Sequence, residues 1–240
     1  PSLVFDFEQN YYRTGGTDST LSSSVTHTRA SSATMTNSSG TLITVGNNVP
    51  RTDHHIYNGS AWVNEGILHE SEARTNLFLY SEQFNQSSWT KSGGATVASN
   101  TTTAPDGNLT ADTVTISRSN TSGLSFIVQK VSSDGTQHAR SIWIRANRSE
   151  DIGKTLDTWS FDGAVGNREA VVLTADFVRV NLASVTLSSG NNREFMSLGF
   201  LNNGSLSPDT GTVKFDVWGA QLEAGSTPSS YIPTSGSTVT

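Results

Sequence analysis

A chain of 240 residues, 34% hydrophobic and only 15% charged, can bury a sizeable core and lacks the high net charge of a disordered polymer. Its formal charge of -6 and the lack of any basic stripe exclude a grip on phosphate backbones, which needs clustered Lys and Arg. The absence of cysteine removes disulfide staples, thiolate catalysis and Cys-based zinc sites, and no apolar run is long enough for membrane insertion.

From Pro1 to Glu72, short strand-like segments (Leu3 to Phe7, Ser22 to His27, Thr41 to Val45) alternate with dense turn signals. These are Gly15-Gly16, Ser38-Ser39-Gly40, Asn47-Asn48 and Asn58-Gly59. Nothing here fills a large core, so residues 1–75 predict an extended arm of β-hairpins that packs on the rest of the chain or on a neighbouring subunit. The chain opens at Pro1 rather than Met, which leads us to expect an upstream portion.

After Asn76 the apolar residues fall into period-two stripes, the mark of half-buried strands. Leu124, Phe126 and Val128 form one stripe, and Ile142 with Ile144 a second. Val178, Val180 and Leu182 form a third, then Met196, Leu198 and Phe200, and finally Val213, Phe215 and Val217. Turn dipeptides Asp134-Gly135, Asp162-Gly163 and Asn203-Gly204 separate the runs. Strands with one apolar face need a second layer, so residues 76–225 predict two sheets face to face, a jelly-roll β-sandwich. Residues 226–240, rich in Ser, Thr, Pro and Gly, read as a linker or exit strand.

The reverse faces of those strands carry the candidate site. Continuous alternation places Trp143, Arg145, Phe177, Arg179, Asp216 and Trp218 opposite the apolar stripes. Aromatic rings offer a flat surface to the C–H side of a sugar, and Arg and Asp can bond its hydroxyls. The same mixture suits a subunit interface, or packing within the chain. Trp89, Trp159 and Phe161 read as core or rim residues, with the last two on a half-buried strand.

Catalytic signatures are missing from the sequence. There is no G-x-S-x-G elbow and no Gly-rich phosphate loop after a strand. Glu65, Glu70, Glu72 and the scattered aspartates provide no pair that spacing alone would set across a cleft. Asp53-His54-His55 is the one histidine cluster, but adjacent residues of an extended chain point to opposite faces, so the two rings do not chelate one metal. A turn pinned by Arg and Asp bonds is the plainer expectation there.

Several segments resemble a module of bacteriophage tail-fibre and spike proteins. They are Arg74-Thr75-Asn76-Leu77, Tyr80-Ser81-Glu82-Gln83-Phe84 with Trp89, and Ala104-Pro105-Asp106-Gly107 with Thr110-Ala111-Asp112. The most specific piece is Val217-Trp218-Gly219-Ala220-Gln221-Leu222-Glu223-Ala224-Gly225, followed by Ser230-Tyr231-Ile232-Pro233-Thr234. Thr28-Arg29-Ala30-Ser31-Ser32-Ala33-Thr34 and Asn48-Val49-Pro50-Arg51 resemble the arm that precedes this module. The resemblance implies a jelly roll related to carbohydrate-binding modules, carried on a virion fibre that is usually a homotrimer. It makes a structural role the stronger expectation for Trp218. It also implies a structural calcium near the first and last strands, where Glu82 and Asp216 would supply the hard oxygen ligands.

The reading is therefore an all-β chain, a jelly-roll β-sandwich preceded by a hairpin arm, requiring no cofactor. Its expected role is non-catalytic adhesion to a host cell-surface polysaccharide or glycan, at the virion surface. A trimerising structural fibre segment is the first alternative, and an accessory domain of a polysaccharide depolymerase or esterase the second.

Overall fold

A computed structural model describes residues 1–58, 60–163, 166–201 and 205–240. Contacts divide the chain into two units, residues 1–73 with 105–107, and residues 74–104 with 108–240. The Asn203-Gly204 turn, and Gly59 of the Asn58-Gly59 turn, lie outside the described residues.

The first unit is a set of small antiparallel ribbons. β1 (Leu3–Asp6), β2 (Tyr11–Thr14) and β3 (Thr17–Ser19) form one sheet, with Phe5, Phe7 and Tyr12 clustered on it. β4 (Ala33–Thr36) pairs with β5 (Leu42–Val45), and β6 (Thr52–Tyr57) with β7 (Trp62–Ile67). The segment Ser22 to His27, expected as a strand, instead begins within a single helical turn, α1 (Leu21–Ser24). Thr20 and Ser23 cap it reciprocally, each side chain meeting the other's backbone N–H, and such local Ser/Thr bonds outcompete strand pairing in a short polar segment. The Asp53-His54-His55 turn is likewise corrected to a strand. Asp53 sits at φ +65° in a bulge of β6, and His54 Nδ1 accepts the Thr36 N–H at 3.4 Å.

The second unit is the sandwich. Its strands are β8 (Trp89–Ser92), β9 (Thr96–Thr102), β10 (Ala111–Arg118), β11 (Ser125–Ser133) and β12 (Gln137–Ala146), followed by β13 (Thr155–Phe161), β14 (Gly166–Val172), β15 (Val178–Thr186), β16 (Gly190–Phe200) and β17 (Gly211–Ala224). One sheet runs β15-β12-β17-β10-β9 and the other β14-β13-β16-β11-β8. Within them β10-β17-β12-β15 and β11-β16-β13-β14 reproduce the jelly-roll order of two Greek keys, with β9 and β8 added at the edges.

Side chains from both inner faces fill the space between the sheets. Ile142, Ile144, Val213, Phe215 and Val217 meet Ile127, Leu156, Met196, Leu198 and Phe200, all buried. Each such side chain contributes about 2 kcal/mol when withdrawn from water. Trp89, expected in the core or at its rim, lies in the core against Phe78 and Phe84. At one end Arg140, fully buried, joins the sheets, donating to the Phe195 carbonyl at 2.9 Å and to Glu169 Oε1 at 2.7 Å.

The structure corrects the inward stripe expected of Leu124, Phe126 and Val128. Ile127 faces the core, whereas Phe126 lies outside, edge-on to Trp159 at 4.7 Å. Both faces of β11 carry apolar residues, so alternation alone left a one-residue ambiguity, and that slip inverts every side chain. Val178 is 46% exposed at the start of β15, while Val180 packs partly on the core and Leu182 is buried within it.

Segments outside the strands close the sandwich. Past Val217, where the pairing of β17 with β10 ends, residues 76–81 bond to β17. Leu77 N–H donates to the Leu222 carbonyl at 2.7 Å, and Ala220 N–H to the Ser81 carbonyl at 2.8 Å. Asn76, fully buried, donates to the Ala220 and Ile232 carbonyls and accepts from the backbone of Phe78 and Leu222. The Ser/Thr/Pro-rich end is packed in place, with Tyr231 and Thr234 buried and Val239 bridging back to Asn76.

Candidate functional site

The six residues expected on the outer face are brought together on the sheet containing β12, β15 and β17. Trp143 opposes Trp218 across the β12–β17 pair and Arg179 across the β12–β15 pair, while Arg145 opposes Asp216. This is the pleat acting as anticipated, because alternate residues of neighbouring strands share a face.

Their environments divide them into two groups. Around β17 the face is closed. Trp218 is 1% exposed and donates its indole N–H to Thr110 Oγ1 at 3.1 Å. Tyr231 lies 4.7 Å from the Trp218 ring and 5.3 Å from the Trp143 ring, completing a three-ring cluster. Its hydroxyl donates to Glu82 Oε1 at 2.9 Å and bonds Ser81 at 2.7 Å. The chain reaches this position because Gln221 and Glu223, on the outer side of β17, hold residues 229–232. Ser229 Oγ donates to Glu223 Oε2 at 2.7 Å, and Ile232 N–H to Gln221 Oε1 at 2.8 Å. A β-bulge makes room for the rings. β12 advances from Ser141 to Trp143 while β17 passes from Gln221 to Trp218, and Gly219 takes φ +64°. A Cβ at Gly219 would stand 2.7 Å from the Trp143 ring.

Asp216 is also fully buried. Arg145 Nε donates to its Oδ2 at 2.9 Å, while Thr113 Oγ1 and Asn147 Nδ2 donate to its Oδ1 at 2.7 and 2.8 Å. The calcium expectation rested on Asp216 and Glu82. Both oxygens of Asp216 are held by protein donors, one of them cationic, and Glu82 accepts from Tyr231. Among the described residues no three His, Asp or Glu side chains converge on a common point. This donor set does not fit a hard divalent cation.

Towards the β15 edge the same face stays half open. The Arg145 guanidinium lies 4.7 Å from the Phe177 ring centroid, and the Arg179 guanidinium 4.7 Å from that of Trp143. Arg179 Nη2 donates to Ser141 Oγ at 3.0 Å, whereas Trp143 beneath it retains only 9% of its surface. Phe177, Arg145 and Arg179 are each partly exposed. Cation–π contact of this kind is worth about 0.5–1 kcal/mol, and Arg145 is held further by donating from Nη2 to Thr102 Oγ1. Sequence reasoning found these residues but not which were closed, because the covering residue, Tyr231, sits in a stretch that reads as linker.

The outer face of the second sheet carries a polar–aromatic group whose Trp159 and Phe161 the sequence reads only as core or rim residues. Trp159 donates to Glu194 Oε2 at 3.3 Å, Lys130 pairs with Glu194 at 3.1 Å, and Phe161 is 44% exposed. The alternation of Trp159 and Phe161 was the available signal. Elsewhere the buried carboxylates are structural. Asp112 accepts the backbone N–H groups of Phe84 and Asn100 at 2.8 and 2.9 Å, and burial pushes its carboxyl above the ordinary aspartate range. Asp157 accepts from Leu206 N–H at 2.6 Å and Leu201 N–H at 3.3 Å.

No family model matches the chain, and no curated protein does either. Among solved structures it is similar to the carbohydrate-binding module TmCBM61 in complex with β-1,4-galactotriose, with 14% identity, TM-score 0.45, and coverage of 62% of this chain and 99% of that one. It is similar to the CBM22-1–CBM22-2 tandem of Paenibacillus barcinonensis Xyn10C, with 16% identity, TM-score 0.46, and coverage of 69% and 54%. The enzymatically active domain of bacteriophage CBA120 tailspike protein 4 matches with 18% identity and TM-score 0.26, over 62% of this chain and 20% of that one. At such identities and scores none of them assigns a ligand to this chain. No helix among the described residues is long and apolar enough to cross a membrane.

Proposed function

We propose that this chain is a non-catalytic carbohydrate-binding module, of the kind a phage fibre or spike presents to a host-surface glycan. The contact is made at the β12–β15 edge by Arg145, Phe177 and Arg179. One observation carries the reading: two guanidinium groups lie 4.7 Å from the rings of Phe177 and Trp143 on a half-open sheet face. Tied to Asp216, Thr102 and Ser141, the two cations form a pre-ordered polar surface for sugar hydroxyls at little entropic cost, and Phe177 adds an apolar surface. Trp218 and Asp216 support the site from beneath and do not touch the ligand. The non-catalytic part of the proposal is supported by Asp112, Asp157, Asp216 and Glu223, each buried and engaged in structural hydrogen bonds.

The test is affinity electrophoresis of the full chain through gels containing purified bacterial surface polysaccharides, followed by calorimetry on the retarding one. Arg179→Ala and Phe177→Ala are expected to weaken binding by tenfold or more with unchanged circular dichroism. Binding that survives both substitutions would sink the site, and no retardation by any polysaccharide would sink the function. The homotrimer belongs to the same proposal, and sedimentation equilibrium reads it directly.

A further inference from the structure

We infer that the first unit carries a second, separate saccharide contact at the tips of its two hairpins, centred on Tyr57 and Trp62. This goes beyond the module's proposed site and does not depend on it. The β6–β7 hairpin places Tyr57 directly opposite Trp62, with ring centroids 5.4 Å apart and planes inclined at 49°. Neither ring is in a core: Tyr57 is 56% and Trp62 40% exposed. Trp62 is nevertheless fixed. Its indole lies against Gly40 in the β4–β5 tip, so closely that a Cβ there would collide with the ring. Gly40 also adopts φ +81°, so both backbone conformation and contact favour glycine at that position.

An asparagine organises each of the two tips. In one tip, Asn37 Oδ1 accepts from Ser39 N–H, Ser39 Oγ and Thr41 N–H. In the other, Asn58 Oδ1 accepts from Ser60 N–H, Ser60 Oγ and Ala61 N–H. Each carboxamide is thereby oriented by its oxygen. Among the described residues, the two Nδ2 groups and the Trp62 indole N–H donate to no protein acceptor. The tips, residues 36–45 and 56–64, contain no charged residue at all. A seated indole, oriented carboxamides and the absence of Lys and Arg from the tips match an uncharged pyranose, whose C–H face stacks on a ring while its hydroxyls accept from amides. Asp106, in the segment whose Pro105 carbonyl accepts from Leu42 N–H, adds a negative charge to this unit. An acidic polysaccharide or a nucleic acid would find no cation here. Ile56 and Val63, 43% and 38% exposed, pair one step further along the ribbon and so lie on its opposite face; a second copy of the chain is the competing occupant.

The experiment uses the full chain on an array of neutral and acidic oligosaccharides, with calorimetry on the strongest neutral one. Tyr57→Ala, Trp62→Ala and Arg179→Ala are compared, each checked for folding by circular dichroism. Gly40→Ala is added because it retains both rings but displaces Trp62. The expected result is neutral-glycan binding that falls tenfold or more in the first two and in Gly40→Ala, and persists in Arg179→Ala. Binding lost only in Arg179→Ala overturns this site and leaves the module's site standing. Concentration-dependent self-association abolished by Trp62→Ala, without glycan binding, assigns the surface to a second copy. A wild-type chain that binds no neutral glycan overturns the proposal outright.

Discussion

The two aromatic clusters of this protein use the same side chains in opposite ways. In the sandwich, Trp143, Trp218 and Tyr231 are 9%, 1% and 2% exposed, each ring meeting the others within 5.4 Å. In the hairpin unit, Tyr57 and Trp62 approach to the same 5.4 Å but keep about half their surface in water. The difference lies in what stands behind and above the rings. A five-stranded sheet supplies a floor, and a chain segment anchored by Gln221 and Glu223 supplies a lid, whereas the two-stranded β6–β7 ribbon sets Trp62 against the Gly40 turn and has no such lid among the described residues. An aromatic pair read from sequence thus becomes a structural plug or an exposed contact according to whether another segment closes over it.

The contrast can be broken most severely at its closed end. Trp218→Ala removes the centre of the three-ring cluster and is expected to cost about 3–5 kcal/mol of stability, measured by denaturant unfolding. Asp216→Ala follows, at about 3 kcal/mol, since it leaves Arg145, Thr113 and Asn147 without the buried carboxylate they share. Gly219→Ala is expected to cost about 1–3 kcal/mol through its positive φ and the collision with Trp143. A cost below the error of the measurement would show that the bulge does not set the ring positions.

The effect of pH is subtler. Burial raises the Asp112 carboxyl, so the folded state holds that proton more tightly than the unfolded chain does. This contribution to stability is therefore greatest at acid pH, and is lost as pH rises from the ordinary aspartate value through the raised one. The stability of wild type relative to Asp112→Asn should fall across that interval, and a relative rise would contradict the assignment. The smallest effect belongs to the open cluster. Tyr57→Ala should change stability by only about 0.5 kcal/mol, which allows its binding phenotype to be read without a folding defect.

Much of the fold was legible because period-two alternation reports directly on a two-layer core. Ile142 and Ile144, Met196 to Phe200, and Val213 to Val217 lie where their pattern places them. Legibility failed at β11, where both faces are apolar and neighbours across the sheet decide which is inside, and at α1, where a Thr20–Ser23 capping box prevails. The candidate site was legible as a set of co-facial residues. Its division into a closed half and a half-open half was not, since that depends on Tyr231, far along the chain from Trp143.

By itself the sequence determined the secondary-structure class, the two-sheet core, and the grouping of Trp143, Arg145, Arg179, Asp216 and Trp218 on one surface. These follow from local stereochemistry, because successive residues of a strand alternate sides whatever surrounds them. The tertiary structure alone decided the strand order, the inner face of β11, the burial of Tyr231 over Trp218, and the seating of Trp62 on Gly40. Those outcomes depend on segments distant in sequence meeting in space. A non-local contact leaves no periodic trace in the residues that make it.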